Sequence, residues 1–212
     1  MKDFALFRNG AIILFIFGVI FSLTAEKSQF MLWMAHARIP FTDYFFYYAT
    51  KMAEPPGFVI CALFLLFSSW KKMATVPIVG CLVIIFSFTL KLIFHHERPS
   101  LYLERMGYTG PLAVLTYPML TGNNSFPSGH SMAAWALYTI VAVHTRKTWA
   151  SILCLFFAVS VSISRVYLMA HFLEDVVFGG AIGALLGYGV YYAYERWGGG
   201  KTQHSAKPSP AA

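Results

Sequence analysis

The sequence predicts an all-α integral membrane protein, a bundle of six transmembrane helices with an interfacial helix between spans 1 and 2. Three observations carry that expectation. Of the 212 residues, 58% are hydrophobic, 17% aromatic and only 12% charged, about half the charged share of a soluble domain, and the mean hydropathy is +0.60. Long uncharged runs recur along the chain at the length a bilayer demands. The basic residues fall in the short segments between those runs, so a net charge of +7 and a pI near 9.4 read as membrane topology and not as a nucleic-acid footprint. Cys61, Cys81 and Cys154 all lie inside apolar runs, which leaves neither a disulfide framework nor metal-type cysteine spacing.

The first span is Gly10 to Ala25, with Phe4 to Phe7 leading into it. Lys2 and Arg8 in front give it the look of a signal peptide, but no clean small-residue cleavage pattern follows, so a retained span is expected. Residues 26 to 54 mix charges with aromatics, notably Phe41-Thr42-Asp43-Tyr44-Phe45-Phe46-Tyr47-Tyr48, and suit an interfacial helix. The second span runs from about Pro56 to Trp70, Lys71-Lys72 form a turn, and the third runs from about Ala74 to His95, with Pro99 stopping the helix. Ser100 to Ser125 lacks periodicity and is a candidate substrate-facing loop or lid. Ser131 to about His144 is the fourth span, Thr145-Arg146-Lys147 its turn, and Trp149 to about Met169 the fifth. The sixth is roughly Glu174 to Tyr194, where Gly179, Gly180, Gly183, Gly187 and Gly189 permit close helix contact. Residues 1–197 thus form one six-span domain, and 198–212, rich in Gly, Ser, Pro and Lys, a disordered cytoplasmic tail.

Parity makes this count useful. Six spans bring Lys91 to Arg98, Ser128 to His130, and Arg165 to Asp175 to one membrane face. The other face collects Lys2, Arg8, Lys71, Lys72, Arg146, Lys147, Arg196, Lys201 and Lys207, against Lys27, Arg38, Lys51 and Arg105 on the converging face once the motif residues are set aside. The positive-inside rule then places both termini in the cytoplasm and the polar cluster outside.

The converging segments carry chemistry. Asn123-Asn124-Ser125-Phe126-Pro127-Ser128-Gly129-His130 is a turn that runs into a helix: Pro127 and Gly129 set the turn, Ser128 suits the N-cap, and the first free N–H groups of the helix point at any anion placed there. His130 adds a proton donor. Lys91 and Arg98 are seven residues apart, near two helical turns, and Arg165 is a third cation on the same face, so an anion such as phosphate is called for. His171 and Asp175 are spaced i, i+4, which on a helix lets the carboxylate hold one imidazole nitrogen and leave the other basic. His95, His96 and Glu97 are less persuasive: they could help bind a headgroup or a metal, but interfacial polar residues at a helix end explain them adequately.

Lys91 through His95-His96-Glu97-Arg98-Pro99, then Pro127-Ser128-Gly129-His130, then Ser164-Arg165 through His171 and Asp175, resemble in order and spacing the three-part signature of the type 2 phosphatidic acid phosphatase (PAP2) superfamily, membrane lipid phosphatase branch. The resemblance implies that His171 attacks phosphorus to form a phosphohistidine, that Asp175 fixes its tautomer, and that His130 protonates the leaving oxygen. Lys91, Arg98, Arg165, Ser128 and Gly129 would bind the phosphoryl oxygens. It implies no metal and no other cofactor, a lipid phosphate monoester or pyrophosphate as substrate, an inner-membrane location, and no obligatory protein partner or nucleic acid. A lipid phosphotransferase built on the same intermediate is the alternative. A transporter or scramblase ranks lower because the charges gather at one face and leave the bundle middle almost free of ionisable groups.

Overall fold

The computed structural model describes residues 2–110, 114–115 and 117–199, and every regular element in them is a helix. The apolar runs fold this way because a helix satisfies its own backbone groups where no water reaches. In chain order they are α1 (Lys2–Thr24), α2 (Gln29–His36), α3 (Pro40–Lys51), α4 (Pro55–Leu66), α5 (Trp70–Met73), α6 (Thr75–Phe94), α7 (Pro99–Arg105), α8 (Gly129–Thr145), α9 (Thr148–Tyr167) and α10 (Leu173–Tyr194), followed by a π-helical turn at Glu195–Gly199.

Among the described residues, four stretches are long and apolar enough to cross a bilayer: Phe4–Thr24, Trp70–Arg105, Thr148–Tyr167 and Leu173–Trp197. Helices α3 and α4, bent by 62° at their junction, make a fifth if the pair is one crossing. Outward-facing Ile13, Phe17, Phe67, Ile84, Phe88 and Leu185 leave a broad apolar surface that only lipid would cover. Cys61 and Cys154 are buried, Cys81 is exposed, and all three are free.

Helix α8 has 17 residues, and each one from Ser131 to His144 is buried. A helix that is apolar on every side has to be wrapped, and α6, α9 and α10 wrap it. Its closest partner is α10, and glycines are the reason. A Cβ on Gly179 would stand 2.6 Å from the Ser128 carbonyl oxygen, one on Gly187 2.6 Å from that of Ala136, and Gly183 abuts the carbonyl of Met132. Gly179, Gly183 and Gly187 repeat every four residues, as do Ser128, Met132 and Ala136, so two one-per-turn ladders face each other. Gly180 packs on Trp135, whereas Gly189 has open space and makes no such contact, contrary to expectation.

Several boundaries differ from the sequence reading. Two short helices, α2 and α3, stand where one interfacial helix was expected, and the second apolar run yields only the 12 residues of α4. Helix α6 ends at Phe94, where His95 turns left-handed at φ 37. Pro99 does not stop a helix but opens α7 at its first position, where a preset φ and a missing N–H cost nothing. Residues 111–113 and 116 of the expected loop, and the tail from 200, lie outside the described residues; 198–199 close the π turn.

Candidate active site

The polar residues of the three motifs meet where α6 and α9 end and α8 and α10 begin. Ser128 is the N-cap of α8, its Oγ accepting from the Ser131 N–H at 3.4 Å. Its own N–H donates to the Asp175 carbonyl at 2.9 Å, which ties the start of α8 to the start of α10. Gly129 and His130 occupy the first turn of α8, where backbone N–H groups lack helical partners. A Cβ on Gly129 would lie 2.9 Å from Ser87 Oγ, so that turn sits tightly against α6.

His171 lies two residues ahead of α10 and not on it, so the i, i+4 helix spacing is not what joins it to Asp175. Asp175 instead closes the helix start, its Oδ2 accepting from the Phe172 N–H at 2.9 Å. The same oxygen lies 3.4 Å from His171 Nδ1 and accepts the Ser125 hydroxyl at 2.5 Å. Ser125 Oγ is itself 3.4 Å from Nδ1. All three side chains are buried. Burial pushes the His171 imidazole down to about 4; Asp175 works against that shift, and Arg165 and Arg98 add to it. The ring is therefore neutral at pH 7, and with Nδ1 turned to Asp175, Nε2 is the nitrogen left for chemistry.

The cations surround this pair. Arg165, in the last turn of α9, is 0% exposed, and Arg98 is 6% exposed. Arg165 donates from its two terminal nitrogens to Thr50 Oγ1 (2.6 Å) and Tyr117 Oη (2.7 Å), while its Nε has no partner. Arg98 donates from Nε to Asn124 Oδ1 (2.7 Å) and from a terminal nitrogen to the Ala170 carbonyl (3.0 Å). Lys91, in the last turn of α6, feels the repulsion of both. Among the described residues, no carboxylate forms an ion pair with either arginine. Asp175 and the more distant Glu54 offset only part of this charge, so the cluster keeps an excess of buried positive charge, which is costly to bury. Arg98 reaches the site by a route the sequence did not indicate: it follows the turn after α6 and anchors its N–H on the Gly122 carbonyl at 3.0 Å.

Sequence reasoning missed the elbow between α3 and α4. Thr50 holds Arg165, and Glu54 lies 3.4 Å from His130 Nε2 while pairing with Lys51 at 3.1 Å. Nothing in a single sequence links residues so far apart. Ser125 was within reach, since it lies three residues before Ser128 in the same motif segment. His96, Glu174 and Asp175 bring donor atoms within 4.8 Å of one another, but Glu174 already pairs with Lys27 at 2.8 Å, which answers its charge.

A model of the PAP2 superfamily matches residues 73–198. Phosphatidylglycerophosphatase B of Bacillus subtilis is 42% identical over 71 residues, which is 29% of this chain and 35% of that enzyme, so the match spans about a third of the relative's length. Lipid A 4'-phosphatase of Bacteroides thetaiotaomicron is 25% identical over 174 residues, covering 80% of this chain and 77% of that one. The crystal structure of Aquifex aeolicus LpxE superposes with a TM-score of 0.66 at 21% identity, over 79% of this chain and 96% of that one, a likeness of fold.

Proposed function

The chain belongs to the PAP2 superfamily, and from that premise we propose that it is a membrane lipid phosphatase acting through a phosphohistidine. One observation carries the reading. Two buried guanidinium groups, without an ion-paired carboxylate among the described residues, stand around a neutral histidine whose Nδ1 faces a buried aspartate. A tetrahedral phosphoryl group supplies the missing negative charge and offers oxygens to the planar forks of Arg98 and Arg165, with Lys91 as a point charge.

The reaction then follows from the residues. His171 Nε2 attacks phosphorus; the N–P bond forms as the P–O bond to the lipid breaks. His130 gives its proton to the leaving oxygen. The imidazolium that develops on His171 is stabilised by Asp175, whose orientation rests on Ser125 and the Phe172 N–H. Water attacks the phosphohistidine, His130 takes its proton, and phosphate leaves. The Ser128–Gly129–His130 turn and the three cations stabilise charge on the phosphoryl oxygens in both steps.

Six crossings fit this placement: the four long stretches, the bent α3–α4 pair, and α8, whose 17 residues reach the lower limit for a span. On the face away from the site, the start of the Trp70–Arg105 stretch holds Lys71 and Lys72 and the turn between α8 and α9 holds Arg146 and Lys147, which supports cytoplasmic termini and an extracytoplasmic active site in an inner membrane. The names of two relatives, phosphatidylglycerophosphatase B and lipid A 4'-phosphatase, put phosphatidylglycerol phosphate and lipid A among the candidate substrates, beside phosphatidate and undecaprenyl pyrophosphate.

The test is phosphate release by the purified protein in detergent from those four lipids, with His171→Ala as control. Release from at least one lipid, abolished in a folded His171→Ala protein, is the expected result. Near-normal turnover in His171→Ala would refute the nucleophile, and no release from any lipid by folded protein would remove the hydrolase reading in favour of phosphotransfer.

A further inference from the structure

A concavity opens at the end of the bundle away from the active site. It is a groove of about 620 Å³ between α6 and α10, roofed by α5 and the π turn, within the size range of small-molecule sites. Its walls are apolar, with Ile78 and Leu82 on α6 and Leu185, Leu186 and Val190 on α10. Gly189 lines it too, and a Cβ there would meet nothing within 4 Å. This is the one glycine of the α10 series that makes no helix contact, and it leaves the groove open where a larger side chain would fill it.

The mouth has a different chemistry. Lys71 lines it beside Trp70 and Trp197, which are 64% and 83% exposed. Lys72 and Arg196 lie on the same end of the bundle. The nearby carboxylate, Glu195, pairs with Arg146 at 3.3 Å, and among the described residues no carboxylate pairs with Lys71. A positive rim between tryptophans above an apolar slot matches one kind of molecule, with an anionic head at headgroup depth and a hydrocarbon tail below it.

We propose that this groove is a binding site for an anionic phospholipid of the leaflet opposite the active site, with its phosphate at Lys71 and an acyl chain against Gly189. A zwitterionic lipid satisfies the walls, but it carries its own cation beside the phosphate, which the basic rim repels. The site is separate from the catalytic chemistry and does not depend on the reading of it.

The experiment is native mass spectrometry of the full chain released from detergent after exchange into either phosphatidylglycerol or phosphatidylcholine. Wild type, Gly189→Leu, Lys71→Ala and His171→Ala are compared, with and without added inorganic phosphate to occupy the active site. One retained phosphatidylglycerol, little phosphatidylcholine, about fivefold weaker retention in Lys71→Ala, loss in Gly189→Leu, and no effect of phosphate or of His171→Ala are the expected results. Equal retention of both lipids, or retention unchanged in both groove variants, would overturn the proposal. Loss on adding phosphate to the same extent in wild type and in Lys71→Ala would also overturn it, by assigning the lipid to the active site. Circular dichroism and gel filtration of Gly189→Leu check its folding, and Lys71→Ala, an exposed change, keeps the test decisive if that variant misfolds.

Discussion

Replacing Ser125 by alanine removes a single oxygen atom and leaves every group that would touch phosphate in place. The lost contact is the 2.5 Å hydrogen bond to Asp175 Oδ2. That oxygen keeps the Phe172 N–H at 2.9 Å and His171 at 3.4 Å, while Oδ1 has no partner of its own. Hydrogen bonds to charged groups contribute about 1.5–3 kcal/mol. Because two of three contacts to Oδ2 persist, the lower end applies, about 1.5 kcal/mol, or roughly tenfold in kcat. KM should barely move, since Ser125 does not belong to the phosphate-binding set. A less satisfied carboxylate also attracts the His171 proton more strongly, so the acid limb of kcat/KM should shift upward. Ser125→Thr keeps a hydroxyl and should recover most of the rate. Phosphate release at several pH values, with kcat and KM separated, is the assay. Ser125→Ala within twofold of wild type in kcat, or Ser125→Thr as impaired as Ser125→Ala with no shift of the limb, would show that the hydroxyl does not position Asp175.

Other perturbations probe the rest of the site. Arg165→Lys cannot reach Thr50 and Tyr117 with one fork and should cost about 10²–10³-fold in kcat, read in the same assay with folding checked by gel filtration. Gly183→Leu forces a side chain into the Met132 carbonyl on α8; overpacking of this kind costs about 1–3 kcal/mol and should lower the thermal midpoint in detergent and activity together, whereas Gly189→Leu should do neither. With His171 held at about 4, kcat/KM should stay high through pH 6.5 and fall only toward 4, after allowance for the second ionisation of the substrate phosphate near 6; a limb at the ordinary imidazole value would contradict the burial. The sign for stability agrees: the folded pKa is depressed, so stability is full above about 6.5, where neither state takes the proton, and declines as pH falls toward 4, because the unfolded chain binds a proton that the folded one refuses.

Much of this was legible in the sequence because it rests on local or compositional properties. Low charge and long apolar runs require a lipid-covered helical bundle whatever the packing. The Ser128 N-cap, the turn before α8 and the glycine repeat of α10 are local signals, and the three motif segments that hold Lys91, His130, Arg165 and His171 could be picked out from their polar residues at the ends of apolar runs. Other features depended on which surfaces meet. Arg98 lies off the helix that its spacing suggested, because the left-handed turn at His95 ends α6 first. His171 and Asp175 pair through the helix-start geometry and the Ser125 hydroxyl and not through a helix face. The elbow carrying Thr50 and Glu54 enters the site only because α3 packs along α9, and no periodicity along one chain encodes such a contact. Composition and spacing determine the class of fold and the set of reactive groups; the tertiary structure decides which atoms face each other, because hydrogen bonds and ion pairs act over a few ångströms that only packing can set.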